Sequence, residues 1–545
     1  MDRLYLKFPT VEDKQNVLDY KNEFLTNGQK MSGVGGLDRL ETFEAWLQKV
    51  NSDISKETCE QGRVPSTLYL VYRIQDNKLV GMMQIRHELN ERLLKHGGHI
   101  GDSIRPSEQG KGYGTEQIKL ALQKCKIFGI KKVLITCDKS NIASARTIQK
   151  NNGVLENEIV IDGTTIQRYW IDLTNNQQFT KPDWQQSNLN ISATLAEFLN
   201  APNKNVILPL LKNELKKGYK NVVFICFDGM GINPLSKNLE PNDFLIQNIK
   251  QNLTSTFPST TTNATTALIT NKYPLEHGWF GWSLYFDEIN RNIDIYLQSD
   301  SQTGEKVDYK YPIMDNSNCY FEDAKTDYQI TTLLPIYVKT NNPDNKIVIQ
   351  NEYDLCESIK QVCARENKQF IYAYLPEPDA TMHEFGVTSE QAKQRIKSIN
   401  NQIEKLFNQL TNTIIVITAD HGQIDVSDCI EFYKDKELNE LLEYTPFLDA
   451  RTPAFIVKNG KEKEFETKFD QKYGQDFKLF KSKDLIEQGY FGNCGDYGYL
   501  LGDYIAIGTY TNKLFISHKN MMRFKGHHTS LTDEMLVPLI ILSKK

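Results

Sequence analysis

The feature that most constrains the fold of this 545-residue chain is a set of continuous apolar runs in its second half. Such runs, separated by helical segments, are typical of a parallel sheet that is covered by helices on both faces. Ligands of these sheets bind beyond the carboxyl ends of the strands. The second half therefore predicts an α/β fold with a binding edge. The runs are residues 221–227, 369–375, 413–418 and 536–542.

Acidic and imidazole side chains stand next to these runs, and we expect each group to follow a buried strand. Asp379 and His383 are four residues apart, and Asp420 and His421 are adjacent. One such pair alone is more often an ion pair or a cap, but four such features favour a metal site. Mixed Asp and His ligands suit zinc, with manganese or iron as alternatives. Two ions about 4 Å apart would clamp the attacking and leaving oxygens of a phosphoryl transfer.

A run of hydroxyl residues lies between the first two apolar runs, 221–227 and 369–375. Five hydroxyls occur in residues 259–265, directly after Pro258 and before the apolar run 267–269. Hydroxyl residues in such a position commonly cap a helix. The alternative is that one threonine is a nucleophile beside a metal ion, at a helix N-terminus whose N–H groups hold a phosphoryl oxygen.

These residues resemble the alkaline phosphatase superfamily, in particular its nucleotide pyrophosphatase/phosphodiesterase branch, over roughly residues 200–545. Tyr273-Pro, His277-Gly and the Gly-x-His that ends at His528 add to the resemblance. It implies an α/β/α sandwich that hydrolyses a small phosphoester, with nucleotides among the candidate substrates. The implied ligands are Asp379, His383 and His528 for one zinc ion, and Asp228, Asp420 and His421 for the other.

The same resemblance implies which threonine reacts. A count without gaps back from Tyr273 and His277 falls on Thr261, which would also touch the metal; Thr260 is the near alternative because the threonine run leaves the register open. Metal coordination lowers the pKa of a hydroxyl, so no separate base is required. The Thr261 N–H and Asn263 would steady the transferred group. Water would then hydrolyse the phosphothreonine intermediate.

Departures from the family pattern bear on the substrate. The place where animal members carry a phosphate-contacting asparagine is Trp282, and no arginine of a sulfatase C/S-x-P-x-R motif follows Pro258. A phosphodiester or pyrophosphate is therefore favoured, with phosphomonoester, phosphonate or mutase chemistry as alternatives. Aromatic residues in and before an insert at about 283–360 either stack on a base or form an apolar cluster. They are Trp279, Trp282, Tyr285, Tyr309, Tyr311, Tyr320 and Phe321.

Residues 1–175 alternate strand and helix patterns around a glycine-rich turn. A strand at 98–106 leads into the turn 109–114, and apolar residues follow it at helical spacing. Glycines allow close backbone approach and a helix N-terminus supplies N–H donors, which together suit a pyrophosphate. The turn lacks the G-x-G-x-x-G pattern, which disfavours a dinucleotide fold.

This turn and the order of elements resemble the GNAT acetyltransferases, whose Gln/Arg-x-x-Gly-x-Gly/Ala signature is matched here. The resemblance implies a mixed sheet with helices, acetyl-CoA as cofactor and a small amine as acyl acceptor. In that family the turn amides hold the CoA pyrophosphate, and the pantetheine arm lies between two splayed strands. The implied cofactor-binding residues are Gln109, Gly110, Lys111, Gly112, Tyr113, Gly114 and Asn141.

Acetyl transfer also needs a base for the amine and often an acid for the leaving thiolate. Glu88 and His87, at the end of a strand, are the candidate bases, with a plain exposed strand end as the alternative. The position of the tyrosine acid found in many family members is Ile148 here. The domain is therefore either an active N-acetyltransferase or a non-catalytic acetyl-CoA-binding regulatory domain.

Composition sets the remaining expectations. A net charge of −5 gives no overall basic field, so binding to a nucleic-acid polymer is not expected. No apolar run approaches a membrane span and no signal-peptide pattern is present, so we expect a cytoplasmic protein. The nine cysteines, without a C-x-x-C pair, are predicted to be mostly reduced core thiols. The expected domains are GNAT-like at 1–175, a polar linker at 176–195, and phosphatase-like at 196–545.

Overall fold

The computed structural model of the chain describes residues 3–173, 179–313, 318–322, 324–338 and 343–545. It divides into two compact units, Met1–Asn176 with Leu239–Gln251, and Gln177–Asn238 with Asn252–Lys545. The predicted boundary between residues 175 and 176 lies outside the described residues. Across the described ranges, none of the helices has the length and apolar character needed to cross a bilayer. All nine cysteines carry free thiols; five of them are buried, three are half-buried and Cys494 is exposed.

The strands and helices are numbered in chain order. The strands are β1 (Leu4–Lys7), β2 (Ser66–Arg73), β3 (Lys78–Arg86), β4 (Ile100–Ile104), β5 (Lys132–Asp138), β6 (Val154–Ile161), β7 (Thr164–Asp172), β8 (Asn221–Phe227), β9 (Ile249–Thr254), β10 (Ser283–Phe286), β11 (Arg291–Asp294), β12 (Ser299–Asp300), β13 (Gln329–Leu334), β14 (Lys346–Val348), β15 (Gln369–Leu375), β16 (Thr413–Ala419), β17 (Ile424–Asp425), β18 (Asp428–Ile430), β19 (Ala454–Phe455), β20 (Phe477–Lys481), β21 (Tyr504–Gly508), β22 (Lys513–Phe515), β23 (Gly526–His527) and β24 (Leu536–Lys544).

The α-helices follow the same numbering. They are α1 (Lys14–Thr26), α2 (Phe43–Ser52), α3 (Glu91–Lys95), α4 (Tyr113–Ile127), α5 (Ile142–Lys150), α6 (Asn188–Phe198), α7 (Pro209–Leu215), α8 (Ile232–Asn238), α9 (Phe244–Asn248), α10 (Thr261–Thr270), α11 (Pro274–His277), α12 (Glu352–Cys363), α13 (Asp379–Phe385), α14 (Glu390–Gln409), α15 (Lys436–Asn439), α16 (Glu462–Tyr473), α17 (Ser482–Glu487) and α18 (Thr532–Met535).

The first unit is built on a sheet that separates into two parts. One part has the order β1-β2-β3-β4 and the other β5-β7-β6. Alternate side chains of β2 face opposite sides, as the pleat requires. Leu68 and Leu70 pack with α1 and α2, whereas Tyr69 and Val71 pack with α4. Helices therefore cover both faces, in agreement with the predicted mixed sheet.

The second unit is organised around a central sheet whose described strands lie in the order β14-β13-β15-β8-β16-β24-β9. β8 pairs in parallel with both β15 and β16, with Asn221 opposite Gln369 and Thr413. Every residue of these three strands is buried, which explains their continuous apolar sequence. The prediction of an α/β domain is confirmed.

One strand corrects the sequence analysis. β24 pairs antiparallel with β16, so the sheet is mixed rather than wholly parallel. The expectation that every ligand group follows a buried strand is also wrong for His528, which precedes β24. These two findings have one cause, because a strand that begins at the carboxyl edge of a parallel sheet must run antiparallel to it. The segment before β24 therefore reaches the same edge as the ends of β8, β15 and β16.

The predicted linker and the predicted insert both contain regular structure. The predicted linker 176–195 includes Trp184, which is buried and donates to the Gly489 carbonyl, and the first residues of α6. The predicted insert 283–360 includes β13 and β14, which are strands of the central sheet. Their sequences are more polar than those of β8 and β16, and this hid them from a search for apolar runs. Residues 314–317, 323 and 339–342 of that insert lie outside the described residues.

The capping of α14 yields a stability prediction. Ser389 accepts from the Ala392 N–H (3.1 Å) and donates to the Gly386 carbonyl (2.8 Å). Ser389→Ala should destabilise this unit by about 1 kcal/mol, because an N-cap satisfies an otherwise unpaired helix donor. Ser389→Thr keeps both groups and should stay near wild type. Hydrogen exchange of peptides from 390–409 at increasing urea concentration measures the effect. Equal urea midpoints for Ser389→Ala and Ser389→Thr would contradict this prediction.

Candidate functional site

Six buried or half-buried Asp and His side chains, which the sequence analysis predicted as metal ligands, meet beyond the carboxyl edge of the central sheet. They come from the end of β8 (Asp228), the first and last turns of α13 (Asp379 and His383), the end of β16 (Asp420 and His421) and the segment before β24 (His528).

The first part of this centre surrounds His421. Its Nε2 lies 3.3 Å from Asp228 Oδ1 and 3.5 Å from Asp420 Oδ2. Asp228 also accepts a short hydrogen bond from the Tyr374 hydroxyl. Asp420 Oδ1 accepts from the Gly229 N–H (3.0 Å), which leaves its other oxygen turned toward His421.

The second part contains the remaining predicted ligands. His383 Nε2 lies 3.1 Å from Asp379 Oδ2. The ring of His528 stacks on His421 with centroids 3.7 Å apart, and it lies 5.5 Å from the His383 ring. The two parts are therefore continuous, and His421 stands between them.

Candidate ligand atoms form two clusters, each with its members within 4.8 Å of one another. One cluster is Asp228, Asp420 and His421, as predicted. The other joins Asp379 and His528 with His421, whereas the sequence assigned His383 to that place. His383 lies directly beside this cluster through its contact with Asp379.

The three histidines have a tautomer that suits metal binding. Each Nδ1 lies against a backbone carbonyl, of Gly422 for His421 (2.9 Å), Gly526 for His383 (2.7 Å) and Ser259 for His528 (2.8 Å). A carbonyl only accepts, so each Nδ1 carries a proton and donates it. In the neutral form of each ring the lone pair is then on Nε2, which is the arrangement that metal-ligating histidines adopt.

The charge balance of the cluster calls for a cation. Burial raises the pKa of Asp420 well above its usual value, and the neighbouring Asp228 carboxylate raises it further. Burial lowers the pKa of His421, but Asp420 and Asp228 outweigh this and raise it to about 10. Asp420 Oδ2 is buried and accepts no hydrogen bond from any described residue. The donor set fits a divalent ion, which would satisfy that oxygen and offset the crowded carboxylates.

Thr261, the predicted nucleophile, lies against the cluster, whereas Thr260 does not. The hydroxyl of Thr261, on the first residue of α10, donates to Asp228 Oδ1 (3.4 Å) and lies 3.2 Å from His421 Nε2. Thr260 is buried, and its hydroxyl contacts that of Thr262 (3.2 Å). Asn263 is wholly buried and donates to the Pro258 carbonyl (2.9 Å), so its predicted role toward the transferred group stays a prediction.

Glycines allow the ligand-bearing loops to approach closely. A Cβ at Gly229 would lie 2.9 Å from Asp379, and one at Gly231 would lie 2.4 Å from the Cα of Gly422. Real side chains cannot occupy such positions without displacing the backbone. The loops after β8 and β16 and the start of α13 are therefore packed closely together behind the candidate ligands.

A buried ion pair that the sequence analysis missed supports two of these loops. Arg451 and Glu534 are both completely buried, with Arg451 Nε 2.7 Å from Glu534 Oε1. The other oxygen of Glu534 accepts from the N–H groups of Ser530 and Leu531, and its carbonyl accepts from Gly422. Glu534 thus links the chain after His528 with the loop after His421. A lone Arg and Glu far apart in sequence gave no signal of this pairing.

His527, at the middle position of the Gly-x-His that ends at His528, also has a buried partner. Its Nδ1 lies 3.7 Å from Asp449 Oδ1 and 2.8 Å from the N–H of His528. Burial raises the pKa of Asp449 to about 7. The pair lies behind His528, outside both clusters of candidate ligands.

The aromatic residues divide into a core cluster and exposed rings. Five of the seven predicted rings are buried, and three of them lie in one apolar cluster, which fits the alternative interpretation: Trp279, Tyr285 and Tyr311. Trp282, in contrast, is 43% exposed. Tyr296, which the sequence analysis missed, is also 43% exposed. Its ring is 6.4 Å from Trp282 and its hydroxyl is 2.6 Å from Thr265, one turn after Thr261 on α10. These two rings are thus near the predicted nucleophile.

In the first unit, the glycine-rich turn has the conformation that a pyrophosphate cradle needs. Gly110 and Gly112 have φ of 76° and 83°, and Gly112 is the N-cap of α4. Gly114 lies in the first turn, where N–H groups lack partners within the helix. Gln109 donates to the Ile104 carbonyl (3.0 Å) and so ties the turn to β4. Lys111 pairs with buried Glu108 (2.8 Å).

The remaining cofactor residues have structural contacts. The Tyr113 hydroxyl accepts from Arg73 (3.2 Å). Asn141 caps α5 by accepting from Ser144 N–H (3.1 Å). These contacts hold the two helix starts and leave the predicted roles toward a cofactor as predictions.

The separation of β4 from β5 fits the pantetheine arm that the resemblance implies. The two strands belong to different parts of the sheet. They meet at their beginnings, where His99 N–H donates to the Leu134 carbonyl (2.7 Å) and Leu134 N–H donates to His99 Nδ1 (2.9 Å). Beyond this point the residues of β4 after Ile100 are only half-buried. The separation of the two strands toward the glycine-rich turn is the gap in which the pantetheine arm would lie. The side-chain oxygen of Gln117 is buried and has no hydrogen-bond partner among the described residues.

The candidate bases differ in their surroundings. Glu88 is exposed and pairs with Lys56 (2.8 Å). His87 Nε2 lies 2.8 Å from the Thr67 hydroxyl, and burial lowers the pKa of His87 to about 4. Asp102, which the sequence analysis missed, lies on β4, where burial raises its pKa to about 6. Ile148, at the expected tyrosine position, is buried.

The comparisons with known proteins agree with both resemblances. Residues 222–493 match the family model described as type I phosphodiesterase / nucleotide pyrophosphatase. Residues 3–153 match the acetyltransferase (GNAT) domain model. The chain therefore carries a GNAT acetyltransferase domain and, after it, a nucleotide pyrophosphatase/phosphodiesterase domain. Both are domains of enzymes; the first implies acetyl-CoA and the second implies divalent metal ions.

Similarity to individual proteins is local. Ectonucleotide pyrophosphatase/phosphodiesterase family member 7 of Rattus norvegicus is 28% identical over 106 residues, which cover 16% of this chain and 24% of that protein. Its Mus musculus counterpart is 30% identical over 97 residues, with 15% and 22% covered. The chain thus spans less than a quarter of the length of these curated relatives.

Solved structures are also similar. Murine ectonucleotide pyrophosphatase/phosphodiesterase 5 has a TM-score of 0.42 at 18% identity, covering 58% of this chain and 87% of that chain. Phosphonoacetate hydrolase from Sinorhizobium meliloti 1021, in complex with phosphonoformate, has a TM-score of 0.43 at 14% identity, covering 59% and 90%.

The buried ion pair behind the metal centre yields a stability prediction. Glu534→Gln keeps the shape but leaves Arg451 buried without its counter-charge, so this unit should lose about 3–5 kcal/mol of stability. Glu431→Gln removes a partner of exposed Arg523 and should have no measurable effect. The free energy of unfolding of both variants is measured in urea, with hydrogen exchange of peptides around 530–544 as the readout. Equal stability of the two variants would contradict the account.

Proposed function

We propose that the chain is a bifunctional enzyme, with a dinuclear-metal phosphodiesterase or nucleotide pyrophosphatase in its second unit and an acetyl-CoA-dependent N-acetyltransferase in its first. One observation carries the phosphodiesterase activity: three carboxylates and three imidazoles converge beside the Thr261 hydroxyl. The family match supports the same reaction class. The substrate would be a small phosphodiester or pyrophosphate, with nucleotides among the candidates.

In this proposal the chain's own groups prepare Thr261 for attack. Its hydroxyl proton points at Asp228 Oδ1, and its oxygen is held 3.2 Å from His421 Nε2. Attack would form an Oγ1–P bond and break the bond from phosphorus to the leaving oxygen. The free N–H groups in the first turn of α10 would hold the transferred group. Water would then cleave the phosphothreonine and regenerate the hydroxyl.

We propose zinc as the resident metal, because mixed Asp and His ligands with a deprotonated Nε2 suit it. Asp228, Asp420 and His421 would hold one ion, and Asp379, His383 and His528 the other. When bound, such ions stabilise the charge that develops on the phosphoryl oxygens and lower the pKa of a nearby hydroxyl.

For the first unit, the glycine-rich turn and the gap between β4 and β5 support acetyl-CoA binding and transfer to an amine. The alternative is that this unit binds acetyl-CoA without catalysis. Ile148 and the Lys56 partner of Glu88 favour this second function, because the family's tyrosine acid is missing and one candidate base is paired. Release of the CoA thiol after amines are added distinguishes an active acetyltransferase from a domain that only binds acetyl-CoA.

The nucleophile can be tested by substitution. Thr261→Ala should lower the hydrolysis of bis(p-nitrophenyl) phosphate by about 10³-fold or more, because the group that forms the covalent intermediate is lost. Thr261→Ser retains the hydroxyl and should remain active. Thr260→Ala is the matched control and should stay within a few-fold of wild type. Loss of activity in the Thr260 variant alone would assign the nucleophile to that residue instead.

Metal content tests the two halves of the centre separately. Asp228→Asn and Asp379→Asn should each reduce bound metal from about two equivalents to about one, since each removes a ligand of a different ion. Asp344→Asn, on an exposed residue, should bind as much as wild type. Elemental analysis after dialysis gives the count. Unchanged content in both ligand variants would refute the assignment.

A further inference from the structure

The three carboxylates of the candidate metal centre share one arrangement. A protein donor holds one oxygen of each carboxylate, and the other oxygen faces an imidazole nitrogen. For Asp420 the donors are main-chain groups, since Oδ1 accepts from the N–H groups of Gly229 (3.0 Å) and His421 (2.9 Å). Its Oδ2 is left 3.5 Å from His421 Nε2. The donors to the other two carboxylates are side chains, and these can be changed by substitution.

Tyr374 holds the first of these, Asp228. It lies on β15 opposite Cys226 of β8, and its hydroxyl donates a short hydrogen bond to Asp228 Oδ2. Asp228 Oδ1 is then left beside His421 Nε2 (3.3 Å) and the Thr261 hydroxyl (3.4 Å). A phenylalanine ring would fill the same buried position on β15. The Tyr374 hydroxyl therefore contributes this contact rather than packing volume.

Gln423 holds the second, Asp379. Its Nε2 donates to Asp379 Oδ1 (3.0 Å), and Asp379 Oδ2 is left 3.1 Å from His383 Nε2. Gln423 is completely buried, and its Oε1 has no hydrogen-bond partner among the described residues. A buried polar atom without a partner is costly, and a methionine of similar length would avoid that cost. What glutamine offers at this position is therefore its hydrogen bond to Asp379.

We propose that Tyr374 and Gln423 are positioning residues, each of which holds one Asp ligand so that a single oxygen is presented to a metal ion. This rests on the dinuclear centre proposed above and assigns one residue to each ion, Tyr374 to the ion of Asp228 and Gln423 to the ion of Asp379. A carboxylate whose outer oxygen is fixed loses little rotational freedom when a metal binds. Such partners of metal ligands commonly contribute about 10–100-fold in metal affinity.

The test measures zinc affinity by competition with a chelator, on full-length variants that keep one ion each. Asp379→Asn keeps the ion of Asp228; in this background Tyr374→Phe should weaken zinc binding by about 10–100-fold, whereas Gln423→Met should have no effect. Asp228→Asn keeps the ion of Asp379, and in this background the two results should be exchanged. A purely structural role would weaken both ions alike, so the crossed pattern is specific to positioning.

Two residues at the opposite, amino-terminal edge of the central sheet provide matched controls. The Tyr328 hydroxyl donates to the Tyr219 carbonyl (2.6 Å). Gln369 is a completely buried glutamine that donates to Gln329 Oε1 (3.1 Å), and its own Oε1 also lacks a partner among the described residues. Tyr328→Phe and Gln369→Met remove the same groups as the test variants and should leave both zinc affinities unchanged.

Three results would count against the positioning roles. Unchanged zinc affinity in Tyr374→Phe and Gln423→Met, while each Asp variant still binds one zinc ion, would overturn them and leave the proposed centre standing. Equal weakening of both ions, or loss of the folded circular dichroism spectrum, would assign a structural role and overturn them as well. If the wild-type chain binds no zinc, the proposed centre fails and the positioning roles fail with it.

Discussion

The second unit depends on one electrostatic constraint: carboxylates crowded together where water is scarce. Asp228 and Asp420 both face His421 from buried positions. Such an arrangement is unfavourable unless positive charge lies between the oxygens. The fold supplies histidines whose protonated Nδ1 atoms are fixed on carbonyls, and thus directs their lone pairs to the same place. The centre is built to be completed by cations.

Strands, close-packed loops and a buried ion pair hold these carboxylates in place. Three ligand groups follow parallel strands, and the fourth precedes an antiparallel one, so all four reach one edge. Glycines let the loops touch, and the buried pair of Arg451 and Glu534 fastens two of them from behind. The helix that begins at Thr261 then presents a hydroxyl and free N–H groups to the same point. The candidate metal ligands and the proposed nucleophile thus lie at one edge of the sheet.

The sequence predicted those features of the second unit that leave a pattern in neighbouring residues. Apolar runs predicted the buried strands, and the residues beside them gave candidate ligands that the fold brings together. Residues that act through distant pairing left no such trace: Glu534 and Tyr296 are ordinary polar residues until the fold brings them together with Arg451 and Thr265. The direction of β24 was missed for a related reason, because an apolar run does not show which way its strand lies.

The most direct test of the central claim is a crystal structure of the full chain with data collected at the zinc absorption edge. The account predicts two anomalous peaks beside Thr261, one in contact with Asp228 and Asp420 and the other with Asp379 and His528. A fully ordered centre with no peak, or with metal bound elsewhere on the chain, would contradict it.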